Sequence, residues 1–352
     1  MNKKRPRNSF GNVRRAGAFL RRLIGGPRNR RLDGAALDAA PLASEADFAP
    51  EQGRLLTEVF ANFAGLRRYR LYVPSAYRGQ QLPLIVMLHG CKQGPDDFAA
   101  GTAMNFIAEE EGCFVAYPSQ PKSANGMRCW NWFNTRNQHR GRGEPSLIAG
   151  ITRQIIGAYN IDPERIYIAG LSAGGALTAI MAATYPDLYA AAGVHSGLAR
   201  GAARNVPAAY AAMRGGGAEI APEVTLSPFS LSNRRHVPTI IFHGDADDTV
   251  HPRNSDQVLD QARPGARALL RPNRTRRRVK GGHSYTRTKY IDERGRSVLE
   301  LWVVHGSGHG WSGGNPAGSY TDPKGPDASR EMMRFFLSHR LKRAKVEEEA
   351  AQ

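Results

Sequence analysis

The stretch Arg165–Tyr185, RIYIAGLSAGGALTAIMAATY, constrains the chain more than any other. Arg165–Ala169 is largely apolar and β-prone. Gly170-Leu171-Ser172-Ala173-Gly174 follows at once, and then a run of Ala, Leu, Ile and Met with good helix propensity, stopped by Pro186. A strand, G-x-S-x-G and a helix in immediate succession describe a nucleophile elbow, in which a sharp turn strains the serine backbone and lifts its Oγ above the strand ends. Gly170 and Gly174 are expected to be small because strand and helix pass close together there, and Gly175 adds clearance. The helix N-terminus beneath the turn favours a developing negative charge. The plainer alternative is a strand–helix joint that contains a serine by chance. The flanking pattern favours the nucleophile.

The rest of the chain reads as alternating strands and helices. Leu55–Phe60 and Arg68–Val73 are two early strands, and Leu82–Leu88 (LPLIVML) is a continuous apolar strand of the kind buried on both faces of a parallel sheet. Residues 96–110 have a helical pattern, and Cys113–Tyr117 is the next strand. Pro145–Tyr159 is an amphipathic helix, and Leu188–Val194, Pro238–Phe242 and Val298–His305 are further strands. Ser329–Leu341 closes the chain as a helix with Met333, Leu337 and Leu341 on one face. Such alternation predicts an α/β fold with a mostly parallel sheet and helices on both faces. Right-handed crossovers then bring the strand C-termini to one edge.

Net charge is +18 over 352 residues, but it is uneven. Residues 1–32 hold eleven Lys or Arg and no Asp or Glu, and Arg271–Lys280 holds six more cations. Residues 1–51 read as a basic tail, expected to be disordered, within which Ala18–Ile24 is a short amphipathic helix candidate. Arg21 and Arg22 interrupt the only apolar run there, so no signal peptide of the usual 7–15-residue apolar type is expected. Lys342–Gln352 is a charged C-terminal tail. The three cysteines, Cys91, Cys113 and Cys129, are too few for a disulfide scaffold and lack zinc-type spacing, and Cys113 in GCFVAYP reads as a core residue.

Catalytic groups of a parallel sheet sit just beyond the strand C-termini. His89-Gly90-Cys91 follows Leu82–Leu88, Ser172 follows Arg165–Ala169, Asp245-Ala246-Asp247-Asp248 follows Pro238–Phe242, and Gly306–Trp311 with His309 follows Val298–His305. The order Ser, Asp, His is that of the α/β-hydrolases. Serine needs an adjacent base, and the base needs an orienting carboxylate. His309, on a glycine-flanked loop, is the base; His305 competes but sits at the strand end, where packing is the expected role. Asp247 is favoured over its neighbours Asp245 and Asp248, since H-G-x-x-D-x-x-V places it one short turn past the strand. The backbone N–H groups of Ala173 and Cys91 are the expected oxyanion donors. His195 and His243 read as satisfied structural groups, and His251, His283 and His339 as surface residues. No phosphate loop or metal-ligand spacing is visible, Gly215–Gly217 being weak because no strand precedes it, so no cofactor and no metal are expected.

Taken together these residues resemble the esterase/depolymerase family of poly(3-hydroxybutyrate) depolymerases, which also contains acetyl xylan and feruloyl esterases. The matching stretches are Tyr69–Pro74 (YRLYVP), Pro83–Cys91 (PLIVMLHGC), Tyr117-Pro118, Cys129–Phe133 (CWNWF), Gly141–Glu144 (GRGE), Gly170–Gly175 (GLSAGG), His243–Asp247 (HGDAD) and Gly308–Gly314 (GHGWSGG). The resemblance implies an α/β-hydrolase domain over residues 52–341, Ser172, Asp247 and His309 as the triad, and Cys91 with Ala173 as oxyanion donors. It implies that Trp130, Trp132 and Trp311 wall the ester cleft, a core role for each being the open alternative. It also implies that a Cys91–Cys129 bridge pins the oxyanion loop.

The expected function is that of a serine carboxylic-ester hydrolase on short hydroxyalkanoate esters or oligomers. An acetyl xylan or feruloyl esterase is the alternative, a serine peptidase a further one. From another class comes a binding protein using the basic tail and Arg271–Lys280 on a granule surface or nucleic acid. The expected partner is an ester or polyester substrate, with an anionic or granule surface available to the tail and no specific nucleic acid. The family leans extracellular; the N-terminus leaves a cytoplasmic location as the alternative.

Overall fold

The computed structural model describes residues 49–215, 235–263 and 270–341. The tail with its Ala18–Ile24 helix candidate, Gly216-Gly217 and the Lys342–Gln352 tail lie outside the described residues. Within them the chain forms β1 (Arg54–Asn62), β2 (Gly65–Val73), β3 (Leu82–Leu88), α1 (Pro95–Thr102), α2 (Met104–Glu111), β4 (Phe114–Pro118), α3 (Gly143–Ala158), β5 (Ile161–Leu171), α4 (Ala173–Thr184) and β6 (Ala191–His195). It continues with α5 (Val206–Gly215), β7 (Thr239–Gly244), α6 (Arg253–Ala262), β8 (Arg271–Arg278), β9 (Ser284–Ile291), β10 (Ser297–His305), the short β11 (Trp311–Ser312) and β12 (Thr321–Asp322), and α7 (Ala328–Leu337).

Among the described residues ten strands make one sheet in the order β1-β2-β4-β3-β5-β6-β7-β10-β9-β8. The six from β4 to β10 are mutually parallel, and antiparallel pairs flank them on both sides. Strand alternation divides the core. Leu84, Val86, Leu88, Ile166 and Ile168 pack with α3 and α4 on one face. Ile85, Met87, Tyr167, Ala169 and Leu171 pack with α1, α2 and α7 on the other. The mostly parallel sheet covered on both faces is the one the sequence pattern predicts.

Three readings change. The single helix over 96–110 is two helices, because Ala103 takes φ 50° and ψ 24°, a left-handed conformation that ends α1 before α2 begins. The closing helix stops at Leu337, four residues early, although Leu341 is still buried. The basic run Arg271–Lys280 is largely strand: β8 pairs antiparallel with β9 at the sheet margin, and seven of its eight residues are exposed. Exposure of both faces removes the apolar alternation by which a strand is recognised. Arginines suit this margin, since charge on an edge strand discourages pairing with other chains.

The sheet centre positions the elbow. Ser172 is held at φ 57° and ψ −118°, between β5 and α4. A side chain on Gly174 would place Cβ 2.0 Å from the Leu88 carbonyl oxygen, and one on Gly170 would lie 2.5 Å from the Gly174 backbone. For Gly175 the nearest atom would be the His195 carbonyl oxygen, at 2.9 Å. The obstacles are backbone atoms of neighbouring strands and of α4, which have no rotamer to yield. Gly174→Ala should therefore cost about 3 kcal/mol or more, read as a lowered urea midpoint, while alanine at the open Gly157 on α3 should be neutral or mildly stabilising.

Candidate active site

The loops after β3, β5, β7 and β10 bring the expected residues to one edge of the sheet. Asp247 is 4% exposed in the turn after β7. Its Oδ1 accepts the backbone N–H groups of Thr249 (3.0 Å) and Val250 (2.8 Å), which fixes the carboxylate from its own loop. Its Oδ2 lies 2.7 Å from His309 Nδ1 and 3.4 Å from His243 Nε2. Burial alone would raise the Asp247 pKa, but the hydrogen bonds from His243 and His309 and the His309 charge outweigh it and hold the group well below the usual carboxylate range. An ionised acceptor at Nδ1 assigns the His309 proton to that nitrogen and leaves Nε2 as the basic site.

The neighbouring aspartates separate cleanly. Asp245 accepts from His305 Nδ1 (2.7 Å) and from the Gly306 N–H (2.7 Å), and His305 Nε2 lies 2.8 Å from Thr286 Oγ1. Asp248 is exposed. The second histidine–aspartate pair thus ties the end of β10 to the β7 loop. The Ala246 N–H donates to the Ser307 carbonyl (3.1 Å), lacing the Asp247 and His309 loops together.

Two buried histidines hold the elbow. The His195 carbonyl accepts the Ser172 N–H (2.9 Å), and His195 Nε2 accepts the Ser312 N–H (2.9 Å), so one residue links the elbow to the segment after His309. Its ring stacks between Phe242 and Trp311. Burial lowers its pKa to about 3, so the ring stays neutral and accepts at Nε2. On the other side His89 Nε2 accepts the Gln120 N–H (3.1 Å) and Nδ1 donates to the Gly90 carbonyl (2.8 Å); burial lowers this imidazole to about 4. His243 donates from Nε2 to the Val250 carbonyl (2.7 Å). His251 is exposed, but His283 is half-buried, 3.2 Å from Asp322 Oδ2, and His339 is buried with Nδ1 on the Phe335 carbonyl (2.7 Å), so neither is the surface residue expected of it. The His339 carbonyl accepts the Tyr167 hydroxyl (3.0 Å), which ties the segment after Leu337 to β5.

Cys91 and Cys129 form a disulfide with Cα atoms 4.2 Å apart, and Cys113 is free and buried, its thiol pushed up to about 12 by burial. Among the described residues neither the Cys91 N–H nor the Ala173 N–H has a protein acceptor. Gly90 lies against Ser172: a Cβ there would stand 3.5 Å from the Ser172 Cβ. The tryptophans take the core alternative. Trp130 and Trp311 are 0% and 1% exposed and Trp132 5%, so they offer almost no surface to a ligand. Trp130 Nε1 donates to the His89 carbonyl (3.1 Å) and Trp311 Nε1 to Ser329 Oγ (2.9 Å); they shape the site from behind. Sequence reading missed Glu144 as a site-side group. Glu144 ends the matching stretch Gly141–Glu144, which marks it without giving it a role. Among the described residues no group of three or more His, Cys, Asp or Glu is placed to hold a metal ion, and no helix is long and apolar enough to cross a membrane.

Comparison with known proteins agrees with this architecture. The chain is 30% identical over 243 residues to poly(3-hydroxyalkanoate) depolymerase C of Paucimonas lemoignei, an alignment covering 68% of this chain and 57% of that protein. It is 33% identical over 212 residues to feruloyl esterase B of Neurospora crassa, covering 57% of this chain and 70% of that protein. The chain therefore spans little more than half the length of the first of these relatives. Among solved structures, acetyl xylan esterase from Aspergillus awamori superposes with a TM-score of 0.56 at 21% identity, over 81% of this chain and 99% of that one, a likeness of fold: the α/β-hydrolase architecture. Residues 67–269 match the family model described as esterase PHB depolymerase, and the chain belongs to that family.

Proposed function

We propose that this protein is a serine carboxylic-ester hydrolase working through an acyl-enzyme, with its catalytic domain over residues 52–341. The observation that carries the reading is the 2.7 Å His309–Asp247 contact at the same sheet edge as a serine in the strained backbone of an elbow. Ser172 Oγ attacks the ester carbonyl and gives its proton to His309 Nε2. Asp247 keeps the Nδ1 proton in place and stabilises the imidazolium that forms. The Cys91 and Ala173 N–H groups, free of protein acceptors among the described residues, receive the oxyanion. His309 returns its proton to the leaving alcohol, and then activates water for deacylation. No step calls on a metal or a cofactor.

For substrate we propose short hydroxyalkanoate esters or oligomers, supported by the likeness to the Paucimonas lemoignei depolymerase. Acetyl or feruloyl esters of plant-wall polysaccharide are the second reading, supported by relatives named feruloyl esterase and acetylxylan esterase. An extracellular location accords with polymeric esters of either kind. Rates on a hydroxybutyrate trimer, acetylated xylan and methyl ferulate separate the two.

Ser172→Ala should reduce kcat on p-nitrophenyl butyrate by on the order of 10⁵-fold or more, and wild type but not the variant should be labelled by a fluorophosphonate. Near-wild-type turnover in the variant would refute the mechanism. Asp247→Asn should keep the fold and lose about 10³–10⁴ in kcat. Because the folded-state pKa of Asp247 is depressed, its stabilising contribution is complete above the unfolded value of about 3.9 and is lost as pH falls below it. The stability gap between wild type and Asp247→Asn, measured by urea unfolding, should therefore narrow between pH 6 and pH 3.

A further inference from the structure

One buried carboxylate beside the site has no part in the chemistry above. Glu144 stands on the first turn of α3 and is 4% exposed. Its Oε1 accepts from Gln120 Nε2 (2.6 Å) and Asn131 Nδ2 (2.8 Å), and its Oε2 accepts from the Asn131 backbone N–H (2.7 Å). Arg67, itself 6% exposed, holds a guanidinium nitrogen 3.8 Å from Oε1. Burial drives this carboxyl upward, against the hydrogen bonds of Asn131 and Gln120 and the charge of Arg67. All three hydrogen-bond partners present N–H groups, so Glu144 serves as acceptor throughout.

What those contacts hold is the far side of the oxyanion loop. Residues 127–131 are fastened to the loop after β3 at several points. The Lys92 N–H donates to the Met127 carbonyl (2.7 Å), Cys91 is bonded to Cys129, and Trp130 Nε1 donates to the His89 carbonyl (3.1 Å). Gln120 joins both sides, its backbone N–H on His89 Nε2 (3.1 Å) and its Nε2 on the Cys129 carbonyl (3.0 Å). These links bind the two segments to each other, yet a disulfide leaves its two partners free to drift together. An outside reference is needed. Glu144 supplies it, together with Asn137, whose Nδ2 donates to the Asn131 carbonyl (3.0 Å) and whose Oδ1 accepts the Glu144 N–H (3.0 Å). The base of this reference is α3, whose Ile148, Ile151 and Ile155 are completely buried against the sheet.

We infer that Glu144 is a positioning residue for the oxyanion hole: by clamping Asn131 and Gln120 to α3 it sets, through the Cys91–Cys129 bridge, where the Cys91 N–H points. The inference rests on the Ser172 reading. An oxyanion donor acts on the transition state, so misplacing it lowers kcat and leaves KM.

Glu144→Gln tests this, since it keeps the shape and turns an NH2 against an N–H donor. On p-nitrophenyl butyrate, kcat per titrated active site should fall about 10–100-fold, short of the 10²–10³ for complete loss of a donor, with KM within about twofold. Affinity for an alkyl boronic acid, whose serine adduct is tetrahedral, should fall in parallel. Adding Asn131→Asp gives the introduced carboxamide NH2 an acceptor and should restore part of the kcat. If Glu144→Gln does not accumulate folded, Asn131→Ala removes the Nδ2 contact to Glu144, together with the side-chain contacts to Asn125 and the Ala124 carbonyl, while keeping the backbone N–H on Oε2, and should show the same split at about 3–10-fold. Unchanged kcat per active site, an equal change in kcat and KM, or no recovery in the double variant overturns the inference. Failure of the underlying reading looks different: Ser172→Ala would then match wild type in the same assay.

Discussion

Everything at the site depends on a backbone conformation that the chain resists. Ser172 sits at φ 57° and ψ −118°, where a side-chain-bearing residue is strained by roughly 1–3 kcal/mol. The strain persists because the surroundings over-determine it. The Ser172 N–H is tied to the His195 carbonyl, Gly170 and Gly174 let β5 and α4 touch, and Leu88 closes on them from β3. Among the described residues the other non-glycine positions with positive φ are Lys92, Ala103, Arg128, Ser196 and Tyr320; Ser196 directly follows His195, whose carbonyl holds the Ser172 N–H, and Lys92 directly follows the disulfide-bonded Cys91. A rigid parallel sheet absorbs the cost, and the loops carry the unusual geometry.

Around that point the histidines divide the labour. His89 and His195 are kept neutral by burial and act as fixed acceptors, one for the Gln120 N–H beside the loop after β3, the other for Ser312 beyond His309. His305 and His309 each meet an aspartate of the same β7 loop. The difference between them is depth. Asp247 is buried and held by two backbone N–H groups of its own turn, while Asp245 is exposed and helps close the end of β10.

Legibility in the sequence followed the range over which each decision was made. The elbow was readable because strand, turn and helix lie in one continuous segment, and β3 was readable because burial on both faces leaves a plain apolar run. Asp247 was separable from Asp245 because the return of Val250 to the core fixes the turn. The break at Ala103 carries no glycine or proline to announce it. β8 carries no apolar period, because seven of its eight residues are exposed. Glu144 was opaque because its partners, Arg67, Gln120 and Asn131, are brought together by the sheet and by a backbone amide. The tryptophans of CWNWF and GHGWSGG stand out in the sequence, but they are buried and the indole N–H groups of Trp130 and Trp311 serve the scaffold, which composition alone does not distinguish from a cleft wall.

The arginine margin has a consequence for assembly. An open sheet ends in two rows of unpaired peptide groups, and a second copy can extend either row unless something forbids it. At β8 five of eight residues are arginine and one is proline. Two such strands laid side by side would stack guanidinium against guanidinium at almost any register, and Pro272 would interrupt the ladder. Sheet-to-sheet growth through this margin is electrostatically closed, and salt, which screens that repulsion, is the variable that would weaken the barrier. The opposite margin, β1, has one arginine and one glutamate in nine residues and lacks this protection. The sheet is therefore asymmetric in its tolerance of neighbours: the β8 end repels a copy of itself by charge, while at β1 the Gln154 side chain donates to the Val59 carbonyl (3.2 Å).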